Sequence, residues 1–156
     1  MDLEKLRRNS LIHVRKDGTF FHDGQPIENP KIVTLFRRGI RIRDDGEKVL
    51  HVGPQWCYVT SDDVVLFVES VSVDEQLGTI RVRLWNGEED LVSPQSLQLL
   101  GDGQLVGTLE TRPIPVRFFR SAYHQIAAYW EEDAGSPSGY IVKIGPRTWP
   151  LLVSSG

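Results

Sequence analysis

With a single cysteine, Cys57, the chain forms no intrachain disulfide and no Cys-based zinc site, which suits a reducing compartment. Cys57 sits between Trp56 and Tyr58, a strand context that favours packing over thiol reactivity. Long apolar runs are also missing. The longest, residues 64–68, is far too short to span a bilayer, and the opening MDLEKLRRNS is not followed by the apolar stretch of an export signal. The expected location is therefore the cytoplasm, with no membrane contact. Basic charge is not in excess either, and a net charge of −3 argues against general nucleic-acid binding, which needs cations to displace counterions from phosphates. There is no glycine-rich phosphate loop with Lys, no G-x-S-x-G elbow and no H-E-x-x-H helix. The expectation is a protein that is not an enzyme, with no catalytic residue, no metal and no cofactor.

What is present is a globular composition with many turns: 40% hydrophobic and 25% charged residues, 14 Gly and 9 Pro. A short helix is expected over residues 2–8, then two strands around Lys16-Asp17-Gly18. A two-residue Asp17-Gly18 turn would set Val14 opposite Phe21 and His13 opposite His22, whereas a bulge at Gly18 shifts each pairing by one. In the first register, His13 and His22 would share one face near Asp23. Without a third ligand in reach they read as surface histidines. Asn29-Pro30 is an N-cap followed by proline at the first helical position, and Ile32, Leu35, Phe36 and Ile40 follow at helical spacing.

Strands are expected at residues 48–52 and 55–60 around Gly53-Pro54, at 64–73 with a bend or bulge, and at 104–109. Asn86-Gly87 marks a hairpin in which a two-residue turn pairs Trp85 with Glu88, Arg83 with Asp90 and Val82 with Leu91. Pro113 and Pro115 then introduce a second helix, near residues 115–132, with Val116, Phe119, Tyr123, Ile126, Ala127 and Trp130 along one stripe. His124 flanks that stripe. After each helix the chain repeats itself: residues 49–56, with Gly53-Pro54 at the corner, line up with residues 141–149, with Gly145-Pro146. The fold class is α+β and β-rich, with mainly antiparallel curved sheets wrapping two amphipathic helices built on an internal duplication. Residues 1–62 form the N-terminal helix-plus-hairpin half and residues 63–156 the C-terminal β-rich half, two parts of one compact unit.

Arg outnumbers Lys by 13 to 5, which suits bidentate contacts to anions. Arg37, Arg38, Arg41 and Arg43 follow a helix, where cations are favoured. Arg112, Arg117 and Arg120 gather at the expected start of the second helix, where they oppose the macrodipole unless an anion or acidic partner compensates.

Residues 17–27, DGTFFHDGQPI, with Leu35-Phe36, the turn at Asp45-Gly46, and Val116-Arg117-Phe118-Phe119-Arg120 with Tyr123, resemble a family of bacterial proteins known as domain of unknown function 1285. The resemblance covers most of the chain in order. It implies a duplicated core, a C-terminal half like pleckstrin-homology folds, and a nucleotide-like ligand held between the halves in a signalling role, with no catalytic residues. The matching polar positions are His22, Arg117 and Arg120, which form the expected ligand site. The leading expectation is a non-catalytic regulatory module holding a small anionic ligand. Its rivals are a protein-interaction module using sheet edges or exposed aromatics such as Trp85 and Trp56, as a homodimer or with another partner, and a small hydrolase using His22 or His124.

Overall fold

The computed structural model describes residues 2–154 and divides into two units, residues 1–66 and 67–156. The first unit opens with helix α1 (Leu3–Arg8), capped by the Asp2 carboxylate, which accepts the Lys5 N–H. Strands β1 (Ile12–Val14), β2 (Phe20–His22), β3 (Gln25–Pro26) and β7 (Thr60–Ser61) form a sheet in the order β3-β2-β1-β7, with β7 parallel to β1. Helix α2 (Pro30–Gly39) begins at Asn29, whose side chain accepts the Lys31 N–H at 2.9 Å. It leads into the meander β4 (Ile40–Ile42), β5 (Lys48–Val52) and β6 (Gln55–Tyr58). Phe20 and Phe36 meet edge to face at 5.6 Å, which seats the first hairpin on α2. Val14, Ile40, Val49 and Leu50 are fully buried. Half of the expected α2 stripe is not: Ile32 and Leu35 are 39% and 48% exposed, while Phe36 and Ile40 turn inward.

The second unit holds a seven-stranded sheet in the order β10-β9-β8-β13-β12-β11-β17. Its strands are β8 (Phe67–Asp74), β9 (Thr79–Leu84), β10 (Glu89–Val92), β11 (Gln98–Leu99), β12 (Leu105–Thr108), β13 (Pro115–Phe118) and β17 (Leu152–Val153). Helix α3 (Arg120–Ala127) packs on β8, where the ladder slips between Val68 and Ser70 and the Gln125 Oε1 accepts the Val71 N–H at 2.7 Å. A second meander follows: β14 (Trp130–Glu132), β15 (Tyr140–Ile144) and β16 (Arg147–Pro150). Trp85, Phe67 and Phe119 form an aromatic cluster with ring centroids 4.5–5.8 Å apart, so Trp85 is fully buried and not the exposed aromatic expected for a partner surface. The protein is thus α+β with mostly antiparallel sheets. Helix-plus-three-strand units recur as α2-β4-β5-β6 and α3-β14-β15-β16, with Gly53 and Gly145 at the equivalent corners at φ 58° and 59°. Among the described residues no helix is long and apolar enough to cross a membrane.

Three expectations change. Residues 115–118 are a strand, not the first turn of a helix, and α3 covers only 120–127. Pro115 is tolerated because it is the first residue of β13, and pairing with β12 and β8 on its two sides overrides the helical spacing. The hairpin after β9 pairs Arg83 with Glu89 and Val82 with Asp90, one residue away from the expected register. The Leu84 N–H bonds Glu88 O and the Gly87 N–H bonds Leu84 O, so the loop has three residues, with Gly87 at φ 90° and Trp85 drawn into the aromatic cluster. Of the two registers left open for the first hairpin, the structure has the bulged one, pairing His13 with Phe21 and Ile12 with His22, so the two histidines are not opposite one another. Residues 64–66 are buried but lie outside β8.

Candidate functional site

The three residues expected to form a ligand site fall in different settings. His22 is exposed on β2 and lines an apolar pocket of about 320 Å³ with Ile12, Ile27, Ile32 and Phe36. Arg117 lies within β13, only 5% exposed, where its guanidinium donates to the Gln104 Oε1 and stands 3.5 Å from the Asp102 carboxylate. Its charge is met from within the chain, as a buried cation requires. Arg120 opens α3 and is exposed, with Phe119 at the N-cap position offering no side-chain cap. Arg112 lies in the loop before β13, so of the three arginines only Arg120 faces a helix dipole. His124 is exposed on α3 with its ring edge-on to Tyr123 at 5.9 Å.

Two other groups of residues in the first unit carry more chemistry. The β5–β6 hairpin pairs His51 with Trp56 and Val49 with Tyr58, so period-2 alternation sends His51, Trp56 and Tyr58 to one face and Leu50 and Cys57 to the other. Burial pushes the Cys57 thiol up, in keeping with a packed side chain. The last turn of α1 lays two guanidinium groups over the aromatic face. Arg7 is 4.1 Å from the Trp56 ring centroid and Arg8 is 4.0 Å from that of Tyr58. From the β4–β5 turn, Arg43 approaches Trp56 to 5.2 Å, and the His51 ring lies 6.3 Å away at 20°. Arg43, His51 and Trp56 line a hollow of about 250 Å³. Arg8 is held by Glu47 at 3.1 Å and Glu4 at 3.3 Å, and the bond to Glu47 raises its pKa. Cations also concentrate here. The first unit carries eleven Lys and Arg against ten Asp and Glu, the second seven against eleven.

The other group is a chain of hydrogen bonds across the parallel β1–β7 pair. The His13 Nδ1 lies 2.7 Å from the Thr60 Oγ1, and its Nε2 lies 2.7 Å from the Asp62 Oδ1. The second Asp62 oxygen accepts the Lys16 N–H at 3.1 Å. The bond from His13, followed by that from Lys16, holds the Asp62 carboxyl below the usual carboxylate range. Thr60 borders a cleft of about 510 Å³ lined also by Arg8, Ser10, Leu11, Asp23 and Gly24. On its wall Leu11 has φ 62°, held there by Ser10, whose hydroxyl donates to Tyr58 O at 2.6 Å and accepts the Ile12 N–H at 3.2 Å. The Leu11 side chain is 51% exposed, so burial does not repay this conformation.

Sequence reading grouped His13 with His22 and did not find this chain, because Thr60 and Asp62 lie 47 and 49 residues beyond His13. The ledge was partly legible: Trp56 and Arg43 were both singled out, but only the β4–β5–β6 register brings them together.

No family model matches the chain, and no curated protein matches it. Solved structures do. A DUF1285 family protein from Silicibacter pomeroyi DSS-3 superposes with a TM-score of 0.57 at 15% identity, over 97% of this chain and 87% of that one. A DUF1285 family protein from Shewanella baltica OS155 gives a TM-score of 0.51 at 19% identity, over 77% of this chain and 92% of that one. The resemblance read from the sequence is thus matched in three dimensions, and at these identities it concerns the fold.

Proposed function

We propose that the Arg–aromatic ledge in the first unit of this protein of DUF1285-like fold is a non-catalytic binding site that holds a small planar anion, nucleotide-like in chemistry. The observation that carries the reading is Trp56 approached by two guanidinium groups, with a hollow open beside it toward Arg43 and His51. An indole offers a stacking surface for a base at about 1–3 kcal/mol, and arginine forks suit phosphate. The ledge contains no nucleophile paired with a base, so it retains its ligand and does not transform it. Retention without turnover suits a regulatory role, which this reading places in the cytoplasm.

The test is a thermal-shift screen against mononucleotides and cyclic dinucleotides, followed by titration calorimetry. Trp56→Ala and Arg43→Ala are each expected to weaken binding about tenfold or more, by the stacking and phosphate energies above. Arg120→Ala should leave affinity unchanged. Loss of binding in Arg120→Ala but not in Trp56→Ala would move the site to the second unit, and a flat screen would abandon nucleotide-like ligands. Exposed Ile32 and Leu35 beside the apolar pocket favour a second reading, a protein-interaction module. A homodimer or a stable partner in size-exclusion chromatography, lost on Leu35→Lys, would support it.

A further inference from the structure

The Thr60–His13–Asp62 chain has the connectivity of an activated hydroxyl. A carboxylate only accepts, so in the neutral imidazole the Nε2 carries the hydrogen given to Asp62 and the Nδ1 lone pair faces the Thr60 hydroxyl. The competing acceptor for that hydroxyl, Ile12 O, stands at 3.4 Å, well beyond the 2.7 Å of the His13 contact. Asp62 is itself fixed by the Lys16 N–H. Thr60 is exposed and borders the cleft, whose lining includes the half-exposed, apolar Leu11. The cleft also includes Gly24, whose N–H makes no hydrogen bond among the described residues and where an added Cβ would meet nothing within 4 Å. Nucleophile, base, orienting carboxylate, an open cleft and an unengaged backbone donor therefore occur together in one unit.

We propose that Thr60 is the nucleophile of a second, hydrolytic site that takes small esters with an apolar acyl group, with His13 as general base and Asp62 as a positioning residue. The Thr60 Oγ1 forms a bond to the ester carbonyl carbon while its proton passes to the His13 Nδ1. The carbonyl electron pair moves onto oxygen, where the Gly24 N–H is the available donor. The C–O bond to the alcohol then breaks, and the departing oxygen takes the proton from His13. Water, losing its proton to His13, attacks the acyl-Thr60 carbon. The Oγ1–C bond breaks, Thr60 recovers the proton, and the balance is ester plus water to acid plus alcohol. The cleft adjoins the ledge through Arg8 and Tyr58, but the hydrolytic reading uses none of Trp56, Arg43 and His51 and is tested independently of it.

The same hydrogen bonds would also pin β7 to β1 with no chemistry at all, so the experiment separates the two roles. The full chain is incubated with p-nitrophenyl acetate. Release of p-nitrophenolate is followed, and the site of any acetyl group is located by peptide mass spectrometry, with thermal melts confirming that each variant is folded. Wild type and Thr60→Ser are expected to release p-nitrophenolate at least about tenfold faster than Thr60→Val, with the acetyl group on residue 60. His13→Gln should fall to the Thr60→Val rate. Thr60→Val is nearly isosteric and decides the matter if His13→Gln fails to fold. Equal rates in wild type and Thr60→Val, or acetyl groups on lysines and other histidines only, would overturn the proposal and leave the cluster as a strand clasp.

Discussion

Asp62 illustrates how a single exposed residue ties local chemistry to global stability. Its native pKa lies below the ordinary value because His13 and the Lys16 N–H both favour the charged form. Between those two values the unfolded chain binds more protons than the native one, so stability rises with pH there. The contribution is full above the ordinary carboxylate pKa of about 3.9 and is lost as pH falls through the lower native value. The gap in urea-denaturation stability between wild type and Asp62→Asn should therefore be widest at neutral pH and narrow steadily below about pH 4. A gap that does not change with pH would mean that the 2.7 Å contact with His13 contributes nothing in solution. None of this was visible from residue type: an aspartate in a Ser-Asp-Asp run after a strand reads as loop, and only β1–β7 pairing delivers His13 to it.

At the scale of elements, one turn accounts for both hairpin registers. Arg15–Thr19, Arg43–Glu47, Leu84–Glu88 and Leu100–Gln104 all close three-residue loops in which a glycine donates back to the first residue. In each, an Asp or Asn carboxyl or amide oxygen accepts the N–H two residues on, at 2.9–3.0 Å. An Asx-Gly pair signals a turn but does not say whether two or three residues separate the strands, and that single residue sets which side chains face each other. Helices were easier where the cap is local, as at Asn29-Pro30, and harder at α3, where Val116 and Phe118 fit period 2 as well as Val116 and Phe119 fit a helix. Gly87→Ala should cost about 1–2 kcal/mol, since φ 90° burdens any residue with a Cβ. Gly101→Ala, in the related loop but without positive φ, should cost less than about 0.5 kcal/mol. Equal costs in denaturant titrations would refute this account of the turn.

For the whole molecule, the duplicated helix-plus-meander is the part that sequence and structure report alike, and it also shows why likeness of scaffold does not imply likeness of site. The two corners superpose Val52-Gly53-Pro54-Gln55 on Ile144-Gly145-Pro146-Arg147, so the position equivalent to Trp56 is Thr148, and Trp149 matches Cys57 on the opposite face. The aromatic ledge therefore has no counterpart in the second meander, although both contain a tryptophan. The surplus of acidic residues in the second unit points the same way for an anion. A nucleotide that stabilises the protein should accordingly slow amide exchange in β5 and β6 and around Arg43, leave β15 and β16 unchanged, and bind more weakly as salt rises, because the attraction at an exposed ledge is screened. Protection confined to β15 and β16, or affinity indifferent to salt, would show that the ledge is not where the ligand sits.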